Sequence, residues 1–299
     1  MTQTELSPRR GILLALASAA TFGGITPLAS LAYDDGTTAL AVLFLRSAFG
    51  VFVFAIAALL LGLRLRITWS AWLALLPVTF SWLIGSFGYL GAVLYLPVGL
   101  AAILFFTFPV IVAIASWVIE RRQPRMVELS LVILAFAGLV LAIGPSFTGL
   151  HPIGLLLAMI GAAGAAGIFL TGRYAMARTR QLVALVHVNT INALGTLGLG
   201  LAFGALTFPQ DAFPLAGGWP ALIATTVLFA FAVFFQFGAI RHVGASRAAM
   251  FFNLEPVVTL AIAMLLLGER LSPIQLLGGA MVIAALLLFS RQSRKLRDG

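Results

Sequence analysis

Residues 245–273 read ASRAAMFFNLEPVVTLAIAMLLLGERLSP. The run from residue 245 to residue 267 is long and apolar enough to cross a bilayer, because about 20 apolar helical residues cover a hydrocarbon core of roughly 30 Å. A carboxylate, Glu255, and a proline, Pro256, stand near its middle. A second stretch, residues 98–125, reads VGLAAILFFTFPVIVAIASWVIERRQPR. Pro109-Val110-Ile111-Val112 aligns with Pro256-Val257-Val258-Thr259, and Glu120-Arg121 before Pro124 aligns with Glu269-Arg270 before Pro273. Upstream, Gly11 to Ala15 resembles Gly154 to Ala158, Ala19-Ala20 matches Ala162-Ala163, and Gly24-Ile25 matches Gly167-Ile168. The chain is read as an internal repeat: residues 1–145, then residues 146–299 ending in a short basic tail.

Composition carries the same conclusion to the whole length. The apolar fraction is 62% and the charged fraction 9%, against about 45–50% and roughly 25% in soluble domains. So few charges cannot cover a water-soluble globule, and disorder is excluded because nothing keeps the chain solvated. A mean hydropathy of +1.11 spreads the excess over all 299 residues. The protein reads as a polytopic membrane protein. With no cysteine, disulfide scaffolds, thiolate metal sites and cysteine nucleophiles fall away. Three scattered histidines give no metal-ligand spacing either.

Ten spans are expected: 11–33, 38–62, 71–94, 98–119, 127–145, 152–172, 183–206, 219–240, 245–267 and 272–290. Arg9-Arg10 and Ala17-Ser18-Ala19 have the outline of a signal peptide, but the apolar run continues to Tyr33 and recurs later as an internal helix. It is read as a retained first span. With both termini cytoplasmic, sixteen of the eighteen Lys and Arg residues fall on the inner side, and Arg46 lies within a span. The net charge of +9 is therefore a topology signal and not a nucleic-acid footprint. Five spans per repeat invert the second repeat relative to the first, which predicts an all-α protein of two inverted five-helix halves around a central cavity.

The landmarks also resemble a known family. Leu254-Glu255-Pro256-Val257, then Leu267-Gly268-Glu269-Arg270-Leu271, are similar to motifs of the EamA family of the drug/metabolite transporter superfamily. So are Pro97-Val98-Gly99-Leu100-Ala101 and Phe105-Phe106-Thr107-Phe108-Pro109. The resemblance covers nearly the whole chain. It implies a multi-pass carrier of the bacterial inner membrane, commonly an exporter of amino acids, nucleosides, drugs or other small metabolites, working as a monomer or homodimer.

Ionisable groups within spans are functional hypotheses by default. At about 1.5 Å per residue, Glu255 lies at the midplane and Arg46 at nearly the same level. Glu255 has two readings: it binds a substrate ammonium or relays a proton, or it satisfies loosened backbone donors or pairs with Arg46. Asn192, Ser81 and Thr21 reach similar depth, and His187 lies nearer the inner surface as an interfacial polar residue. Pro109 and Pro256 each remove a helix hydrogen bond and leave carbonyls to be met by protein or water. Phe106, Thr107, Phe252 and Asn253 flank them as pocket candidates, while Tyr89 and Tyr95 read as interfacial anchors. A cavity with one carboxylate and several rings favours neutral, zwitterionic or amphipathic solutes. An embedded enzyme is the competing class, but no second acid stands at the depth of Glu255 and the chain has no H-E-x-x-H. No P-loop is present, so ATP hydrolysis is not expected, and neither is a cofactor.

Overall fold

The protein is described by a computed structural model over residues 7–119, 121, 125–144, 150–210, 218–267 and 271–298. Every regular element among these residues is a helix: α1 (Pro8–Asp34), α2 (Ala39–Leu60), α3 (Trp69–Val93), α4 (Val98–Phe105), α5 (Phe108–Ile119), α6 (Met126–Ile143), α7 (Pro152–Arg178), α8 (Gln181–Ala202), α9 (Gly218–Val243), α10 (Ala245–Phe251), α11 (Leu254–Leu267) and α12 (Pro273–Asp298). Ten stretches are long and apolar enough to cross a membrane, with α4 and α5 forming one and α10 and α11 another. Polar caps mark where the chain re-enters: Ser7 accepts from the Arg10 amide, Thr38 from Ala41 and Thr68 from Ala71. First-turn amides have no helical partner, so these hydroxyls meet donors that would otherwise go unbonded. An even number of spans puts both termini on one side, called here the terminal side; the other is the distal side.

The expected spans match within a few residues, and three ends differ for physical reasons. Helix α7 runs on to Arg178 instead of ending near residue 172, and α12 to Asp298 instead of near residue 290, because a helix does not stop where the hydrocarbon does. Helix α8 ends at Ala202 although apolar residues continue to 206. Gly204 adopts φ +61° and the Ala205 amide turns back to the Gly200 carbonyl at 2.8 Å, a left-handed helix stop that hydropathy cannot register. The repeat landmarks Glu120, Pro124, Glu269 and Arg270, and the loop residues Pro145, Asp211 and Pro214, lie outside the described residues.

Packing follows the repeat. Helix α1 lies along α9 and α3 along α7, two pairs that exchange when the halves are exchanged. Helices α2 and α8, and α6 and α12, each pack on their own counterparts. Small residues set these approaches. A Cβ on Gly164 would fall on the backbone of Gly85, one on Gly88 would fall on Gly161, and one on Gly278 would fall on Ala142 and the Gly138 carbonyl. In the sixth span Gly161 and Gly164 face the α3 backbone in this way, and Gly167 faces the Ser81 side chain. Without a hydrophobic driving force in lipid, such backbone proximity is what dispersion and weak hydrogen bonds require.

The fourth and ninth spans break at equivalent points, after Phe105 and after Phe251. The two repeats then depart from symmetry in one respect. On the terminal side α10 packs against α5, α7 and α1. Among the described residues its distal equivalent, α4, makes no comparable contact with α11 or α1. Both short helices are buried, through Ala248, Ala249, Met250 and Phe251 on α10 and through Leu100, Ala101 and Ile103 on α4, while Val257, Val258 and Thr259 on α11 are half-buried. The asymmetry lies in the packing of α10 on α5 and α7, which α4 does not repeat with α11 and α1.

Candidate functional site

The site is built around the two helix breaks. Pro109 and Pro256 cannot donate to the preceding turn, so the helix gives way just before each. The loosened carbonyls are met in the same manner in both halves. Thr107 Oγ1 donates to the Leu104 carbonyl at 2.6 Å, and Asn253 Nδ2 donates to the Met250 carbonyl at 3.0 Å. Both residues were expected in the pocket; the structure gives each a backbone-capping hydrogen bond, and Asn253 is buried.

Glu255 follows the second break, in the first turn of α11. The positive end of a helix favours a carboxylate there. The side chain is half-buried and makes no ion pair or hydrogen bond with another described residue. Its backbone packs against α1 where there is no room for a side chain, since a Cβ on Gly23 would lie 2.8 Å from the Glu255 carbonyl.

Arg46 does not pair with Glu255. Its guanidinium lies 4.2 Å from the centroid of the Phe229 ring, and its Nε is buried without a hydrogen-bond partner. Among the described residues, Arg46 and Glu255 each form no ion pair, so neither neutralises the other. The structural reading in which Glu255 is locked to Arg46 is corrected here: the guanidinium is held by an aromatic face.

Rings continue from the Arg46 contact. Phe229 meets Phe22 at 6.0 Å and Trp82 at 5.8 Å, and Phe22 meets Phe252 at 5.9 Å. From Phe252 the series continues to Phe169 at 4.9 Å, Phe108 at 5.3 Å, then Phe105 at 5.8 Å and Tyr89 at 4.9 Å. Phe106 joins through Phe105 and Phe108. Phe106 and Phe252 are thus both buried members of a belt contributed by both halves. Tyr89, expected as an interfacial anchor, is instead a half-buried member of it.

Asn192 is buried on α8, and its Oδ1 has no hydrogen-bond partner. Gly50 of α2 faces Asn189, where a Cβ would lie 2.8 Å from Oδ1. One turn along each antiparallel helix brings Arg46 and Asn192 to one level. The remaining polar candidates are used locally: Thr21 donates to Ala17, Ser81 abuts Gly167, and His187 contacts the Val183 carbonyl at 2.8 Å with its ring edge on Trp72.

Phe22, Trp82, Phe169 and Phe229 were not among the residues singled out from sequence. Phe alone numbers 24, and the belt arises only from contacts between helices far apart in the chain. An alternative signal was available: a span arginine with no acidic residue at helical spacing needs another kind of partner.

Comparison with known proteins places this geometry. Residues 9–144 and 152–291 each match the family described as EamA-like transporter family. The chain is 28% identical over 203 residues to the uncharacterized transporter sll1319 of Synechocystis sp., covering 66% of this chain and 60% of that protein. It is 27% identical over 244 residues to the uncharacterized transporter YvbV of Bacillus subtilis, covering 78% and 75%. The match thus spans less than two thirds of the first relative's length. A solved crystal structure shares the fold with a TM-score of 0.79 at 17% identity, covering 97% of this chain and 99% of its own.

Proposed function

The chain belongs to the EamA-like transporter family, and we propose that it is a secondary carrier exporting small metabolites, amino acids or similar zwitterions, by alternating access. The terminal side faces the cytoplasm of a bacterial cell, and the halves 1–145 and 146–299 move against each other. One observation supports this reading most: the inverted repeats pack unequally, α10 docked on α5 while α4 makes no comparable contact with α11. Exchanging those roles between halves would close the distal side and open the terminal side, as inverted-repeat carriers require.

The separated charges support the substrate class. Glu255, without a partner among the described residues, is suited to an ammonium group or a proton, and Arg46 presents a buried Nε donor to an anionic oxygen. The ring belt suits an apolar body. A single guanidinium does not suit a polyanion. The aromatic lining also favours a second reading, efflux of amphipathic drugs or nucleosides through the same passage. Nothing in the site resembles the paired acid or nucleophile an embedded enzyme needs.

The test is efflux from proteoliposomes loaded with a labelled panel of amino acids, nucleosides and cationic drugs. Saturable efflux of one or more amino acids supports the reading. Saturable efflux of nucleosides or drugs with none of amino acids transfers it to the second, and no carrier activity for any class overturns both.

A further inference from the structure

On the terminal side, away from the ring belt, a cavity of about 440 Å³ opens between the α2–α3 connection and the α7–α8 connection. Four arginines line it, Arg64 and Arg66 from the first half and Arg178 and Arg180 from the second, with no carboxylate in its wall. Residues 63–68 alternate strictly: Leu63, Leu65 and Ile67 are half-buried while Arg64, Arg66 and Thr68 are exposed. Leu65 and Ile67 pack on the core that contains Leu185 and Val186, which anchors the segment and turns its arginines outward. Arg178 is fixed from the other side, its guanidinium 3.6 Å from the centroid of the Tyr174 ring. None of the four forms an ion pair with another described residue. Converging like charges repel, so positive-inside topology accounts for their side of the membrane and leaves their gathering around one cavity unexplained.

We propose that this cavity binds the phosphate of an anionic phospholipid from the adjoining leaflet, bridging the two halves. Guanidinium groups match phosphate oxygens in pairs, and basic pockets between spans on the cytoplasmic side suit lipid headgroups. The surroundings favour a lipid over a free phosphate: Leu60, Leu61, Trp69 and Leu73, which flank the lining residues in sequence, are exposed apolar side chains available to acyl chains. A headgroup held by both connections links segments whose separation any opening of the terminal side would change. The inference rests on the chain lying in a bilayer and is independent of the transported solute.

The experiment is native mass spectrometry of the purified full-length protein with equal amounts of phosphatidylglycerol and phosphatidylcholine. The wild type should retain phosphatidylglycerol about tenfold or more in preference. Arg64→Gln with Arg180→Gln should lower that affinity about thirty-fold, from the usual worth of two cationic side chains at an anionic surface. Arg241→Gln with Arg291→Gln removes the same charge elsewhere on the terminal side and should leave the preference within about twofold of wild type. Matching elution profiles and melting curves in phosphatidylcholine alone identify folded variants, and Arg66→Gln with Arg178→Gln serves as a second pair. Equal loss in the control pair, or no preference in the wild type, overturns the site. Displacement of the lipid by millimolar glycerol phosphate would keep a phosphate site and overturn its assignment to a lipid.

Discussion

Gly164→Ala tests the α3–α7 seam that holds one wall of the passage. The added methyl would fall on the backbone of Gly85, with the Ser81 carbonyl at 2.8 Å. Neither obstacle is a side-chain tip that can swing away, so the helices must separate locally. Overpacking of this kind costs about 1–3 kcal/mol, and a gap of 0.5–1 Å forfeits roughly a quarter to a half of each dispersion contact along the seam. The intrinsic preference of a helix for Ala over Gly returns about 0.8–1 kcal/mol, leaving a net loss of up to about 2 kcal/mol. Gly198→Ala is the matched control, because nothing lies within 4 Å of its added Cβ on α8; it should be neutral or stabilising by up to about 1 kcal/mol. Equilibrium unfolding in mixed micelles titrated with denaturing detergent reads both variants. A Gly164→Ala protein as stable as Gly198→Ala would refute the close approach of α3 and α7.

Other expectations follow from the site. Asn253→Ala and Thr107→Val each remove a capping bond at a helix break and should destabilise by about 1 kcal/mol, read in the same titration. Arg46→Gln should raise KM about tenfold or more for solutes carrying a carboxylate, since a charged hydrogen bond contributes about 1.5–3 kcal/mol, while amine-only analogues change little. The natural sequence has no cysteine, so single cysteines can report access directly. Thr259→Cys should react with a water-soluble maleimide several times faster than Ala249→Cys, whose position is fully buried; equal rates would contradict the proposed one-sided access.

The spans and the repeat were legible because hydropathy and proline spacing are local. Pro109 and Pro256 announced the interruptions, but the helices break just ahead of them, at Phe106–Thr107 and Phe252–Asn253, where the lost hydrogen bond and the ring clash act on the preceding turn. Depth along a helix could be counted, so Arg46 and Glu255 were expected at one level. Lateral position could not, and Arg46 proved to face Phe229 on the neighbouring helix α9. Tyr89 illustrates the same limit: its position near a span end suggested the interface, whereas packing turned its ring to Phe105. The unequal contacts of α10 and α4 have no signature in sequence at all, since both segments derive from the same repeated pattern.

The most direct measurement is gradient-driven efflux of a transported amino acid from proteoliposomes, comparing the wild type with Glu255→Gln. If Glu255 is the group that exchanges a substrate ammonium or a proton, wild-type efflux is saturable and responds to an imposed pH difference. The folded variant should lose it at least severalfold. Normal efflux by a folded Glu255→Gln protein at every pH would contradict that role and leave the carboxylate a structural part of the α11 turn.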